Sequence, residues 1–360
     1  MELSPTPDSI SSPREALSVV RYHWLKRYLL LWVLFFLMCA GLGYPSLNRY
    51  RPPATEGLSD TAVYYQMVTQ GPTSVAHPYM RGRILIPFVA RPFYWLARGR
   101  VISWDPVAFA LLASNSIFCA LGSCLLVSIG QRVSGNLLIG LLAATLHLLS
   151  FAVPNLQLAG LVDSGESCFL LAVICSLLAS KWSLLPVWGV FGTLAKETFV
   201  PFALVFTAVW WLSSSHTSGD RTRSSILWTV MLALASLVTL ILLHTIINGH
   251  VVWPWHIAVQ AHAGSPFFSA LLGSLLDRGF WYVFIWLLPL GLFNLHRLPR
   301  PWLWASLITA LVALGLGAWK DMQGTVARPL FDVIGPLLSL STAMLLSGSK
   351  ERNALNSLPS

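Results

Sequence analysis

Charged residues are scarce in this sequence: Asp, Glu, Lys and Arg together make up 10% of its 360 residues, whereas soluble domains carry about 25%. Hydrophobic residues make up 55%, and several apolar runs approach the length of roughly 20 residues that crosses a bilayer as a helix. These proportions exclude a soluble globular enzyme. They predict an all-α fold, a polytopic transmembrane helical bundle of about nine to eleven membrane segments.

Paired cysteines are also missing. The five cysteines lie in or beside apolar runs, and no two have CxxC spacing, which argues against a disulfide framework or a zinc site. No metal or other cofactor is indicated. The net charge of +9 is spread over loops rather than gathered on one face, which argues against a nucleic-acid partner. Membrane lipids are the expected surroundings.

Apolar runs divide the chain into a polar tail at 1–27, a membrane domain at 28–347 and a second tail at 348–360. Basic residues just before the first run place the N-terminus in the cytoplasm by the positive-inside rule. The block 183–212 is too long for one straight span and is charged at its centre, so we expect two short helices that meet at Lys196 and Glu197. The other predicted spans are about 28–47, 107–129, 135–153, 166–180, 225–247, 280–296, 302–319 and 329–347.

The segment 84–97 is short for a span, contains two prolines and has Arg91 at its centre. We expect it to lie in the outer interface, within a first outer loop at 48–106. Basic loops at Arg132 and Lys181 then fall on the cytoplasmic side. The alternative is that 84–97 crosses the membrane, which would place Asp163 on the cytoplasmic side.

Two charged stretches interrupt apolar sequence: GLVDSGES at 160–167 and LAKET at 194–198. Ionisable groups at a membrane are energetically unfavourable, so Asp163, Glu166, Lys196 and Glu197 are candidates for a functional site. Structural roles remain open at this stage. Asp163 and Glu166 have the spacing of a helix capping box, and Lys196 and Glu197 could simply pair with each other.

The outer loops supply further candidates. Asp60 opens a helix-like stretch, where it is either a helix cap or a general base, and Tyr64 follows one turn later. Arg81 and Arg83 precede the apolar segment 84–97 and suit either a lipid phosphate or ordinary interfacial anchoring. Two further candidates lie later in the chain: His256, in a loop rich in Trp and His at 248–279, and Arg328, at the start of the final span, where a guanidinium suits a phosphate.

This pattern resembles the GT-C superfamily of polytopic glycosyltransferases, which includes protein O-mannosyltransferase-like and aminoarabinose-transferase-like enzymes. The matching features are Asp60 in SDTAVYYQMV after the first span, the segment HPYMRGRILIPFVARPFY, a second acid at Asp163, GTLAKETFVPFALVF, and the late segment ARPLFDVIGPLL. The chain has no DxD motif and no Asp-Glu doublet in its first outer loop. It also lacks the large soluble domain of the longer family members.

The resemblance implies transfer of a sugar from a polyprenyl-phosphate donor to an unknown acceptor at the outer face of the cell inner membrane. Asp60 would be the general base, with Asp163 as the second catalytic acid. Arg and Lys side chains would hold the donor phosphate. Two alternatives stay open: a transporter or flippase, whose broken helix near residue 196 would form a midplane site, and a non-catalytic membrane scaffold.

Overall fold

The computed structural model describes residues 13–49, 60–100, 103–218, 223–260, 266–320 and 326–356, and within them every regular element is helical. The predicted tails and the predicted first outer loop fall partly outside this range. The helices are α1 (Pro13–Arg49), α2 (Thr61–Thr69), α3 (Leu85–Ala97), α4 (Pro106–Ser134), α5 (Leu137–Leu148), α6 (Asp163–Leu178), α7 (Leu185–Ala195), α8 (Phe199–Ser218), α9 (Arg223–Asn248), α10 (Pro254–Gln260), α11 (Phe267–Leu276), α12 (Arg278–Phe284), α13 (Leu287–Leu292), α14 (Arg300–Trp319) and α15 (Ala327–Asn356).

Five of the described helices are long and apolar enough to cross a membrane, judged by length and composition. These stretches are Lys26–Pro45, Pro106–Ser134, Ser225–Asn248, Arg300–Trp319 and Ala327–Gly348. The all-α prediction is confirmed. The predicted nine to eleven segments are reached only if shorter apolar helices also enter the membrane, and that number stays a prediction.

Helix α4 forms the centre of the bundle and is buried along most of its length, between α1, α3, α5 and α6. Its contact with α5 is made at Gly130 and Gly140. A Cβ atom on Gly140 would lie 2.5 Å from the carbonyl oxygen of Val127, so only glycine allows the two backbones to approach this closely. Small residues at helix crossings are typical of membrane bundles.

Helix α9 lies at the edge of the bundle. Exposed apolar side chains recur along it at Leu227, Leu234, Val238, Leu242 and Ile246, at spacings that place them on one side of a helix. A continuous apolar stripe of this kind is stable against lipid and unfavourable in water. This face therefore suits contact with acyl chains.

Two predicted spans and one predicted loop differ from the structure. The segment 280–296 is divided into α12 and α13, because Pro289 has no N–H to continue the hydrogen-bond ladder. The segment 135–153 contains only the twelve-residue α5; it ends before Pro154, which lies in a π-helical turn at Val153–Gln157. The loop predicted at 248–279 contains α10 and α11.

The predicted ends of the membrane domain also shift. Helix α1 begins at Pro13, inside the predicted tail 1–27, and α15 continues to Asn356, inside the predicted tail 348–360. At the first boundary the sequence has no glycine or proline that would end the helix. At the second boundary α15 continues through Gly348, since a single glycine weakens a helix by only about 1 kcal/mol relative to alanine.

Helix α3 has the bounds and the shortness expected for the segment 84–97, and its location in the outer interface stays a prediction. Its 13 residues reach about 20 Å at 1.5 Å per residue, less than the roughly 30 Å of a bilayer core. The Arg91 guanidinium donates a hydrogen bond to the carbonyl oxygen of Met67 at 3.1 Å, at the C-terminal end of α2. The charge at the centre of α3 is thus satisfied by protein rather than exposed to lipid.

Candidate functional site

A cavity of about 200 Å³ lies where several helix ends meet: the starts of α2, α6 and α15, the end of α14, and the junction of α7 with α8. One side of it is apolar and includes Phe202, Ala313 and Leu316. The other side is charged. The charged residues that line it are Asp60, Arg83, Asp163, Lys196, Lys320 and Arg328.

The chain breaks at Lys196 because the local sequence cannot continue one helix. Pro201 has no N–H, so a continuous helix would leave the carbonyl of Glu197 without its usual bond. Lys196 has extended backbone angles, φ −164° and ψ 139°. Gly192 leaves room for the Phe199 ring, which a Cβ atom there would approach to 2.5 Å. The predicted meeting of two short helices at Lys196 and Glu197 is therefore confirmed.

Lys196 is the cation of a buried cluster. Its Nζ atom lies 2.5 Å from Asp163 Oδ1 and 2.7 Å from Glu166 Oε2, and all three side chains are almost fully buried. The Thr198 hydroxyl donates a hydrogen bond to Glu166 Oε1 at 2.6 Å. The interpretation that Lys196 and Glu197 pair with each other is wrong, since each has a separate partner.

Glu197 pairs instead with Arg83. Two nitrogens of the Arg83 guanidinium, Nε and Nη2, donate to the two carboxylate oxygens at 2.8 and 2.6 Å, a bidentate arrangement that fixes orientation as well as charge. Arg83 Nη1 donates to the Tyr64 hydroxyl at 2.8 Å. Burial raises the pKa of Tyr64 to about 12, so its phenol stays neutral. Tyr64 thus supports Arg83 from behind the cavity.

Arg328 connects the two acids that line the cavity. Its Nη2 lies 3.5 Å from Asp60 Oδ2, and its Nη1 lies 3.7 Å from Asp163 Oδ2. The Asp60 side chain is 19% exposed and that of Asp163 is 4% exposed. A ligand in the cavity can therefore reach Asp60 more easily than Asp163.

The capping roles considered for the two acids are not observed. Asp60 precedes α2 but makes no side-chain capping bond, and its backbone is helical at φ −76° and ψ −20°. Asp163 is the first residue of α6, and Val162 occupies the cap position. Asp60 pairs with Arg328, and Asp163 pairs with Lys196. The interpretation of Asp163 and Glu166 as a capping box is therefore wrong.

Two predicted site residues lie away from the cavity. Arg81 donates to the carbonyl oxygen of Val75 at 2.8 Å and to Asn248 Oδ1 at 2.9 Å, so it ties the segment between α2 and α3 to the end of α9. His256 is exposed on α10 and packs edge-on against Trp255. Neither side chain lines the cavity.

Sequence reasoning missed Asp332 and undervalued Lys320. Asp332 is 1% exposed, and its Oδ1 accepts a hydrogen bond from Gln157 Nε2 at 3.0 Å. A signal was present: a single carboxylate inside the last apolar run, one helical turn after Arg328, places both side chains on one face of α15. Lys320 ends α14 and lines the cavity.

The arrangement combines an accessible carboxylate with several cations beside an apolar wall. Asp60 can accept a proton from a bound hydroxyl group. Lys320 and Arg328 can neutralise an anion, because they line the cavity at its charged side. The apolar side chains suit a hydrocarbon part of the same ligand. The geometry therefore fits an amphipathic anion next to a group that is to lose a proton.

Neither a comparison with protein-family models nor a comparison with curated protein sequences gives a match for this chain.

Proposed function

We propose that the chain is a multi-pass glycosyltransferase of the inner (plasma) membrane, which moves a sugar from a polyprenyl-phosphate donor to an acceptor hydroxyl at the outer face. The observation that carries this proposal is the cavity itself. It joins the exposed side of Asp60, the cations of Lys320 and Arg328, and an apolar wall at Phe202 and Leu316. A lipid-linked sugar phosphate has matching parts: a polar sugar for the side where Asp60 meets the acceptor hydroxyl, an anionic phosphate for the cations and a hydrocarbon chain for the apolar wall.

In this proposal Asp60 is the general base. It takes the proton of the acceptor hydroxyl while the hydroxyl oxygen forms a bond to the anomeric carbon of the sugar. The bond from that carbon to the phosphate oxygen breaks at the same time, and its electron pair leaves with the polyprenyl phosphate. Attack from the side opposite the leaving group inverts the configuration at the anomeric carbon.

Lys320 and Arg328 are assigned to the phosphate. Charge accumulates on the leaving oxygen as the glycosidic bond breaks, so fixed cations at that position lower the barrier. The ion pair of Arg83 with Glu197 and the cluster around Lys196 are assigned a supporting role. They hold the α7–α8 junction and the start of α6 in place, which keeps Asp60 and the phosphate site at a fixed separation.

The direct test is turnover by the purified protein in lipid nanodiscs. Polyprenyl-phosphate sugars are offered with a panel of acceptor hydroxyl compounds, and the release of polyprenyl phosphate is followed with time. Release that requires both donor and acceptor supports the proposal. If no donor in a broad set is turned over with any acceptor, the transferase proposal is wrong.

A transporter or flippase is the second candidate, because the extended Lys196 divides α7 from α8 next to buried charges. Discontinuous helices at a polar site are common in transporters. The same purified protein, reconstituted in sealed vesicles instead of nanodiscs, separates the two candidates. A transporter moves the lipid-linked sugar across the bilayer without releasing polyprenyl phosphate.

The proposed orientation predicts which side of the membrane carries Arg100, an exposed residue after α3. In intact cells, Arg100→Cys should react with a membrane-impermeant maleimide. The matched control is Lys181→Cys, at an exposed position beyond the far end of α6, which should react only after permeabilisation. Buried or half-buried native cysteines keep the background low. Labelling of position 100 from the cytoplasmic side alone would place α3 across the membrane and Asp163 inside.

A further inference from the structure

Three carboxylates converge behind the cavity. One oxygen atom from each of Asp163, Glu166 and Asp332 lies within 4.8 Å of the other two, and all three residues are buried. The first two belong to the start of α6 and the third to α15, so the cluster joins two helices that are far apart in the chain. Like charges at this separation in a bundle interior repel strongly.

The neighbouring cations do not balance this cluster. Lys196 places one ammonium between Asp163 and Glu166, at 2.5 and 2.7 Å. Arg328 lies 3.7 Å from Asp163, but its charge is shared with Asp60 at 3.5 Å. Arg83 is engaged by Glu197 in a bidentate pair. Among the residues that the structure describes, no cation within ion-pair distance of Asp332 is found.

Asp332 also has an oxygen atom without a hydrogen bond. Its Oδ1 accepts the bond from Gln157, whereas Oδ2 is buried and makes no hydrogen bond to any described residue. An ionised carboxylate with a bare, buried oxygen is strongly unfavourable in an apolar interior. A protonated carboxyl group in the same place carries no charge, and its O–H becomes a donor for one of the neighbouring carboxylates.

We infer that Asp332 is a proton-binding site: at neutral pH it holds one proton, which it shares with Asp163 and Glu166. The separation of the oxygens suits transfer directly after a small side-chain movement or through one bridging water molecule. The bond from Gln157 then stabilises the carbonyl oxygen of the acid, while the O–H side faces the two carboxylates of α6.

A metal ion is the weaker occupant for this cluster. The Lys196 ammonium already lies where a cation would bind Asp163 and Glu166 together, and it would repel a metal ion at the same position. A proton on Asp332 avoids this conflict because it needs no space between the two α6 carboxylates.

The other groups around Asp332 do not supply a compensating charge. Helix α5 contributes His147, which stacks on the adjacent Phe331 ring at 4.9 Å, and α4 contributes Cys119, whose thiol is bonded to Gln157 Oε1 at 3.4 Å. Helix α13 has no titratable residue. Helix α14 has Arg300 at its opposite end and Lys320 as its C-cap, and Lys320 lines the cavity without an ion pair to Asp332 among the described residues. On α12, Arg278 and Tyr282 are exposed.

The proton site would control the cavity through Lys196. When Asp332 is protonated, the Lys196 ammonium interacts with two carboxylates. When Asp332 is ionised, its carboxylate adds a third negative charge that attracts the same ammonium. The inference does not depend on the proposed glycosyl transfer, since it rests on the buried cluster and not on any ligand.

Infrared spectroscopy tests the inference directly, because a protonated carboxylic acid has a carbonyl stretch that ionised carboxylates lack and that shifts in heavy water. At neutral pH the wild-type protein in nanodiscs should show this band, and Asp332→Asn should lose the equivalent of one carboxyl group. The asparagine amide of this variant has the shape of the neutral acid and can donate to the same neighbours. Asp277→Asn is the matched control: Asn caps a helix as well as Asp, so α12 keeps its cap and the band should remain.

A second measurement follows protein stability. A proton held in the folded protein and released on unfolding makes stability fall as the pH rises. Wild-type protein should therefore lose thermal stability from mildly acidic to mildly alkaline pH, and this slope should be reduced in Asp332→Asn relative to Asp277→Asn. Absence of the band in the wild-type protein at neutral pH would overturn the inference. A band that survives unchanged in Asp332→Asn would also overturn it. A third contrary result is that sodium, magnesium or calcium stabilises the wild-type protein but not Asp332→Asn.

A second variant, Gln157→Met, tests the proton site if Asp332→Asn does not fold. Gln157→Met removes the amide bonded to the carbonyl side of the acid, so the wild-type band should move in frequency while keeping its intensity. A band that does not move assigns the proton to another carboxyl group and contradicts the inference.

Discussion

Asp60→Asn should lower the rate of polyprenyl phosphate release by roughly 10²–10⁴-fold, the usual contribution of general-base catalysis. The amide keeps the size and polarity of the side chain but cannot accept the proton of the acceptor hydroxyl. The loss is expected in kcat more than in KM, because the missing interaction forms as the proton moves. Initial rates at saturating donor and acceptor measure it.

The structure favours Asp60 over Asp163 as the base for two reasons. Asp60 has the greater exposure to the cavity, 19% against 4% for the Asp163 side chain. Asp163 is also bound to the Lys196 ammonium at 2.5 Å, and a carboxylate held by a buried cation is a weak proton acceptor.

The matched control for this prediction is Asp105→Asn. Asp105 caps α4 through bonds from the amides of Val107 and Ala108 at 2.9 Å, and Asn caps helices comparably. This variant should turn over at close to the parental rate. Parental turnover by Asp60→Asn, in a protein that does turn over the donor, would show that Asp60 is not the base while leaving the reaction itself intact.

Lys196→Met should destabilise the folded protein by about 3–5 kcal/mol, the usual effect of removing one partner of a buried ion pair. Methionine fills nearly the same volume, so the loss is electrostatic rather than a packing defect. Asp163 and Glu166 would remain buried at the α7–α8 junction without their cation. Thermal unfolding in detergent micelles should show a large drop in Tm, and turnover should fall with it.

Two further variants separate charge from packing. Lys181→Met makes the same substitution at an exposed position and should change stability by no more than about 0.5 kcal/mol. In the double variant Lys196→Met with Glu166→Gln, one buried negative charge is removed along with the positive one, so part of the lost stability should return. If the double variant loses more stability than the summed losses of the two single variants, the electrostatic account is contradicted.

Local signals in the sequence predicted the parts of the fold that depend on neighbouring residues. The charged pair shortly before Pro201 indicates the break at Lys196. The limited length of the apolar segment 84–97, with Arg91 at its centre, indicates the short helix α3. The continuous apolar run of 280–296 predicts one span, but Pro289 within it cannot continue the hydrogen-bond ladder, so the segment forms two helices. The candidate residues Asp60, Asp163, Lys196 and Arg328 were identified as rare charges, and the structure brings them to one cavity.

Partnerships between charges could not be predicted, because they depend on how distant helices pack. Glu197 lies next to Lys196 in the chain but bonds to Arg83, which is 114 residues away. The DSGE spacing satisfies the capping-box pattern, yet the ammonium of Lys196 competes for the same carboxylates. The pairing of Asp332 with Gln157 could not be predicted for the same reason, since the two residues are 175 positions apart, although Asp332 itself was visible as a lone carboxylate in the last apolar run.

The connection of Arg328 and Asp332 to α6 has a consequence for biogenesis. Both residues belong to α15, which is synthesised after the other described helices, whereas Asp60, Asp163 and Glu166 are synthesised much earlier. Until α15 docks, the acids of α6 have Lys196 as their only close cation among the described residues, and the cavity lacks the wall that Arg328 and Pro329 supply. A chain truncated before residue 327 should therefore be retained by the membrane insertion machinery or degraded, so completion of the site and escape from quality control become the same event.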